Sequence, residues 1–478
     1  MNLARLVHPG FWFGKTSLSE AVALAKRGVG GFCLYGGTRA EVASFTAAVR
    51  KASPCKRLLI SADYEDGLGR WLPDAPLLPS NMALGAAQNE TLAFEKGLLT
   101  AQQARSLGVD WIFAPVVDLA DNPLNPIVNT RSFGEDPSLV IRLASAFLNG
   151  IHQGGALSSL KHFPGHGDTT TDSHLALPVL TKSSAQLHAR ELAPFQALLS
   201  QTDSVMLGHL LIPQLDEKNP ASLSPTIAHT LLRQQLQYDG CVLTDALLMK
   251  AIGDEKQAAL HALHAGVDIL LVPQHPNELI DFLTQQNLPH ALVHQALAHQ
   301  DHLCQKVLSA AAAPSPQEAF APNNLGLHTA QQAIVQQGTS IKMQPGQTWH
   351  YIEVGADHTA SAQVLKETLR QHGVLLKPFE ENAQNVLVIS LRRYQAFQGK
   401  IALEAPDVAR LKHALAHATH SVGVVLASPW ALPIYPTSTL FTFSPAPEFQ
   451  QTAAEILLGQ RTAQGKMPIL PPNANRAV

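Results

Sequence analysis

Apolar and polar positions along this 478-residue chain follow two rhythms. Short, almost unbroken apolar runs have the length and texture of strands buried on both faces: GGFCLY ending at Tyr35, RLLISAD ending at Asp63, WIFAPVVDL ending at Leu119, ALSSLKH ending at His162, SVMLGH ending at His209, CVLTDAL ending at Leu247 and DILLVP ending at Pro273. Between them lie longer stretches with helical spacing of apolar residues, among them SEAVALAKRGV, TRAEVASFTAAVRKA, ETLAFEKGLLTAQQARSLGV and LVIRLASAFLNGIHQGG. Strand and helix in strict alternation predict a parallel α/β architecture. Seven or eight such units before about Ala310 predict a closed TIM-like (β/α)8 barrel over residues 1–310.

Near Ala310 the texture changes to AAAAPSPQEAFAPNN, rich in Ala and Pro, which predicts a linker over 311–330. Beyond it, TWHYIEVG, NVLVISLRR, SVGVVLASP and LFTFSP read as strands separated by helices. Residues 331–478 are therefore expected to form a smaller α/β sandwich domain.

Composition narrows the function classes. Net charge is −3, with Lys and Arg scattered along the chain, so no nucleic-acid surface is indicated. Cys33, Cys55, Cys241 and Cys304 match no CxxC or zinc spacing and read as reduced thiols. The start, MNLARLVHPGFWFGKTSLSE, lacks the basic-then-apolar pattern of an export signal, and no uncharged apolar run approaches about 18 residues. A cytoplasmic protein with no membrane partner, monomeric or homodimeric, is expected. Most of the 22 histidines sit in helical segments such as HALHAG and HALAHATH, where solvated helix faces are the ordinary reading.

Several predicted strands end in reactive side chains: Asp63, Asp118, the pair Lys161 and His162, His209, and Asp245. Each reads either as a cap for the following helix or as part of a site at the carboxyl ends of barrel strands. After Lys161 and His162 the chain runs FPGHGDTTTDSHLALP, a loop by its Gly, Pro and Thr content. Within it, Asp172 stands two residues before His174. In non-helical chain that spacing lets the carboxylate hold one ring nitrogen while the other shuttles a proton near neutral pH.

The segment Leu160 to Pro178, with K-H-F-x-G-H-G followed by D-S-H, resembles the signature of the β-N-acetylhexosaminidase branch of glycoside hydrolase family three. So do DNPLNPIVNTRSFGEDP from Asp121, ADYEDGLGRW from Ala62, HLLIPQLDEKNPASLSPTI from His209 and the T-D-x-L-x-M context of Asp245. The resemblance implies a retaining glycosidase acting on terminal β-linked N-acetylglucosamine, without metal or cofactor. Asp245 would be the nucleophile, His174 held by Asp172 the general acid/base, and Asp63, Arg70, Arg131, Lys161 and His162 the sugar ligands. Asp66 stands in place of the family's first glycine and Arg70 lies one residue closer than in many members, while His209 has no assigned role. In cytoplasmic members of the branch the substrates are muropeptides from cell-wall turnover. Three other readings are a phosphorylase using the same residues, a metal-dependent hydrolase built on His162, His166, Asp168 and His174, and a sugar-binding protein without chemistry.

Overall fold

The computed structural model describes residues 2–355, 361–393 and 401–470; the expected domain end at 478 lies outside the described residues. The amino-terminal region carries β1 (Val7–His8), β2 (Gly10–Trp12), β3 (Gly31–Tyr35), β4 (Leu59–Ala62), β5 (Trp111–Ile112), β6 (Leu157–Ser158), β7 (Leu160–Phe163), β8 (Ser204–Leu207), β9 (Cys241–Thr244) and β10 (Leu270–Leu271). All are parallel to their neighbours, and helices cross between most of them.

The expected single barrel sheet is recorded as three arcs: β2-β3-β4-β5-β6, β7-β8-β9 and β1-β10. Chain continuity through Ser159 joins the first two arcs, Pro9 joins β1 to β2, and an isolated bridge from Leu243 to Ile269 links β9 to the approach to β10. Strands are short for a physical reason visible in WIFAPVVDL. Pro115 has no N–H to donate, so regular pairing stops at Ile112 and resumes only as a single bridge between Val116 and Lys161.

Helix starts are written locally. Ser17 and Thr38 form capping boxes with Glu20 and Glu41 before Leu18–Arg27 and Arg39–Ala52; Asp136 caps Pro137–Gln153, whose first-turn proline has no N–H to satisfy. Side chains enclosed by the strands, including Cys33, Trp111, Phe113, Met206, Cys241, Leu243 and Ile269, form one apolar cluster. All four cysteines are unbridged.

His8 is fully buried on β1, and burial drives its imidazole down to about 3. The unfolded ring takes a proton near the ordinary value, so the stability contributed by keeping His8 neutral is complete above about pH 6.5 and is lost as pH falls toward the folded value. Between pH 7 and 4.5 we expect a loss on the order of 2 kcal/mol from this group. Thermal midpoints measured at both pH values should converge in His8→Leu.

The expected linker is not an extended spacer. It holds the helix Pro316–Ala319, with a capping box from Ser315, and the start of the helix Leu325–Ala333. Phe320 lies under the Arg39 guanidinium, 4.6 Å from ring centroid to carbon, and this cation–π contact ties the segment to the amino-terminal region. Beyond it, β11 (Val335–Gly338), β12 (Thr348–Val354), β13 (Leu375–Pro378), β14 (Asn385–Ser390), β15 (His420–Val425) and β16 (Ser438–Phe441) make a six-stranded sheet in the order β11-β16-β15-β14-β12-β13. It is parallel except for edge strand β11. Its core includes Trp349, Leu387, Val424 and Phe441, together with Met82, Ala83 and Ala86 from the helix Asn81–Ala87. The carboxyl-terminal sheet thus shares apolar packing with this helix of the amino-terminal region within one mixed α/β structure.

Candidate active site

The carboxyl ends of the amino-terminal strands open on a cavity of about 300 Å³. Asp63 leaves β4, Lys161 and His162 sit within β7, and Asp245 leaves β9; all four line this cavity with Arg70, Arg131 and His174. Asp172 is buried behind His174.

Four charged groups build one wall. Lys161 Nζ lies 2.7 Å from Asp63 Oδ1 and 2.5 Å from Glu65 Oε1, and the Arg131 guanidinium reaches both oxygens of Glu65, at 2.7 and 2.8 Å. Burial alone would raise the Glu65 carboxyl, but Arg131 and Lys161 outweigh it and hold it well below the usual carboxylate range. Lys161 is also buried, yet Asp63 and Glu65 keep its ammonium above its ordinary value. Glu65 and Lys161 are thus both held in their charged forms. Glu65→Ala would leave two buried cations without their shared carboxylate, and we expect a loss of about 3 kcal/mol of stability, measured by urea unfolding at neutral pH.

His162 donates Nδ1–H to Asp118 at 2.7 Å, and its Nε2 lies 3.3 Å from Arg131, which can only donate. That pattern puts the ring proton on Nδ1 and an acceptor toward the arginine. Asp118 also accepts the backbone N–H groups of His162 and His166. Its role is to orient the β7 loop. The predicted strand-end carboxylate therefore supports the site from behind.

Asp172 Oδ1 accepts both the backbone N–H of His174, at 2.9 Å, and its Nδ1–H, at 2.8 Å. The carboxylate side chain is 1% exposed while the imidazole is 23% exposed, so the carboxylate is hidden and the ring faces the cavity. Asp245 is not a helix cap: its Oδ1 accepts the adjacent Ala246 N–H, and the next α-helix begins at Glu255 with Asp254 as its cap. Burial alone would raise the Asp245 carboxyl, but the His162 and His209 rings, the Ala246 N–H and His174 hold it at about 2. His209 is buried beneath it, bonded to Ser222 Oγ at 2.6 Å and to the Ala246 carbonyl at 3.2 Å. It fixes the turn that presents Asp245.

The four-residue metal set expected as one alternative does not assemble. Asp168 turns to Asn122, at 2.9 Å, and Lys182, at 3.1 Å, while His166 Nδ1 pairs with Thr169. Among the described residues no cluster of three His, Cys, Asp or Glu side chains has a metal-holding arrangement. Arg70 lines the cavity despite the altered glycine, because Asp66 holds it at 3.5 Å and is itself paired with buried Lys96 at 3.3 Å.

Residues 2–302 match the family model described as the glycosyl hydrolase family 3 N terminal domain. The chain belongs to glycosyl hydrolase family 3. It is 35% identical over 259 residues to a β-hexosaminidase of Idiomarina loihiensis, covering 52% of this chain and 78% of that protein. A β-hexosaminidase of Mannheimia succiniciproducens is 35% identical over 294 residues, 58% of this chain and 84% of the other. Among solved structures, a family 3 β-N-acetylglucosaminidase from Paenibacillus sp. str. FPU-7 superposes with a TM-score of 0.83 at 27% identity, covering 99% of both chains. A β-glucoside phosphorylase, BglX, shares the fold with a TM-score of 0.91 at 21% identity, over 99% of this chain and 94% of the other. This family 3 member is a glycosidase, and a carbohydrate is its substrate. No helix among its described residues is long and apolar enough to cross a membrane.

Two features of the cavity were absent from the sequence reading. Glu65 joins Arg131 to Lys161, and its signal was the D-x-E spacing after Asp63. An aromatic surface also lines the cavity: Trp12 and Tyr35 stack at 4.9 Å and 8°, and Trp71 meets Tyr35 edge-on at 5.4 Å. These rings stand on strands and a turn far apart in sequence, and only folding brings them together.

Proposed function

We propose that this family 3 glycosidase is a retaining, exo-acting β-N-acetylglucosaminidase. The observation that carries the reading is the joint placement, on one cavity, of an ionised Asp245 and of His174 held by buried Asp172, beside the charged array of Asp63, Arg131, Lys161 and His162. Asp245 attacks the anomeric carbon and forms a glycosyl ester while His174 protonates the leaving oxygen; the same ring then takes the proton of the incoming water. With Nδ1 engaged by Asp172, proton transfer runs through Nε2. Asp172 supports the imidazolium that gives its Nε2 proton in the first step and fixes the neutral Nδ1–H tautomer whose Nε2 takes a proton in the second. Asp63, Arg70, Arg131, Lys161 and His162 bind sugar hydroxyls. The names of the curated relatives and of the Paenibacillus structure support the acetamido sugar as substrate.

On the same reading the three parallel arcs belong to one (β/α)8 barrel over 1–310, followed by a connecting segment over 311–330 and a second α/β domain over 331–478; the joints at Ser159, Pro9 and the Leu243–Ile269 bridge support it. Cytoplasmic turnover of cell-wall muropeptides is the setting to which the motif resemblance points. The test is a panel of 4-nitrophenyl β-glycosides assayed with and without phosphate. Preference for the N-acetylglucosaminide with release of free sugar is expected; a sugar 1-phosphate as the main product would replace hydrolysis by phosphorolysis, and preference for the glucoside would overturn the substrate assignment.

A further inference from the structure

The carboxyl-terminal sheet reaches the segment that carries Arg131. This arginine ends a single tight turn, Asn129–Arg131, whose first residue has a left-handed backbone, φ 40°. That conformation costs a non-glycine residue energy unless its surroundings hold it. Here Asn129 Nδ2 donates to Ser428 Oγ at 3.0 Å, and both residues are buried. Ser428 follows β15 in the carboxyl-terminal sheet, and its own N–H donates to the Arg392 carbonyl.

A second tie meets the same turn from its other end. The Arg131 carbonyl accepts from Asn81 Nδ2 at 2.7 Å, and Asn81 opens the helix Asn81–Ala87 capped by Ser80. Ser80 Oγ donates to the carbonyl of Phe443, a residue just past β16. Asn81 Oδ1 in turn accepts from buried Lys96 at 2.7 Å, and Lys96 pairs with Asp66, which holds Arg70. Packing leaves no slack. A Cβ on Gly85 would stand 1.7 Å from the Phe133 carbonyl oxygen, and the Glu135 N–H donates to the Pro468 carbonyl at 3.0 Å.

We infer that the carboxyl-terminal half is a working part of the sugar subsite: Ser428, through Asn129, is a positioning residue that sets the cavity arginine Arg131. The inference rests on the reading of Arg131 as a sugar ligand. It also assigns a task to chain that lies outside the matched region 2–302, where every cavity-lining residue falls. Loss of the Ser428 hydroxyl removes the acceptor of a buried amide and releases a strained turn, so the arginine no longer waits in its binding position.

The experiment uses the full-length chain and 4-nitrophenyl N-acetyl-β-glucosaminide. Ser428→Ala should lower kcat/KM about tenfold, mostly by raising KM, as expected for one buried hydrogen bond. Asn129→Gly, which keeps the backbone conformation but not the amide, should do the same. Arg131→Lys should lower kcat/KM more strongly, and adding Ser428→Ala to it should cost nothing further. Full multiplication of the two losses, or a fall in melting temperature with KM unchanged in both Ser428→Ala and Asn129→Gly, would reduce Ser428 to a structural contact and overturn the inference. An Arg131→Lys variant with unaltered kcat/KM would remove the sugar-ligand reading itself, and the inference with it.

Discussion

Asp245→Ala is expected to leave the fold intact and lower turnover by about ten thousandfold or more on every β-glycoside tested, whatever the leaving group. The expectation follows from where this carboxylate stands. It is ionised far below neutrality, with its carboxyl held at about 2, and it lines the cavity at the carboxyl end of β9. The alanine also opens a small space on the same side of the sugar. Azide entering it should attack the anomeric carbon directly and give a glycosyl azide of inverted configuration, separable from the retained product by NMR. Equal activity of Asp245→Ala and the unaltered enzyme would move the nucleophile elsewhere. So would an azide product of retained configuration.

How much of this was legible beforehand depended on whether a residue's role is set by its near neighbours in sequence. The β/α alternation was visible because strands buried on both faces must be nearly continuous apolar runs, and the helix starts were visible because Ser17, Thr38 and Asp136 cap within three residues. Asp172 and His174 form a local pair, so their hydrogen bond could be anticipated from spacing alone. Asp245 was ambiguous on its residues, since an aspartate after an apolar run is also a good cap; the structure decides by starting the next α-helix ten residues later, at Glu255. What the sequence hid were the long-range partners. Lys96 reads as an ordinary polar position on a helix, yet it is wholly buried because Asp66 and Asn81 wait for it across the fold. The histidines divide in the same way. Those of HALHAG and HALAHATH are largely exposed as expected, whereas His8, His162, His166 and His209 are buried and differ in what their neighbours make of them.

The second large effect separates the two steps of the reaction. His174→Ala should lower kcat/KM for an alkyl or sugar aglycone by about a thousandfold, because an alkoxide cannot leave without a proton. For a nitrophenyl aglycone the loss in kcat/KM should be less than about tenfold, because nitrophenolate is already stable at neutral pH and the acid is not needed for departure. The comparison must be made in kcat/KM, which reports the first irreversible step. Turnover itself should fall for both substrates, since the same ring is the base that activates water against the glycosyl ester. Added azide should then restore nitrophenyl turnover with retained configuration, because an anionic nucleophile needs no base. Asp172→Asn should show a milder version of the same pattern: the buried carboxamide can still occupy the place beside Nδ1 but gives no support to the imidazolium. Equal kcat/KM losses on alkyl and nitrophenyl substrates in His174→Ala would mean that the imidazole does not protonate the leaving group, and the assignment of Asp172 and His174 as acid/base would have to be dropped even if Asp245 remained the nucleophile.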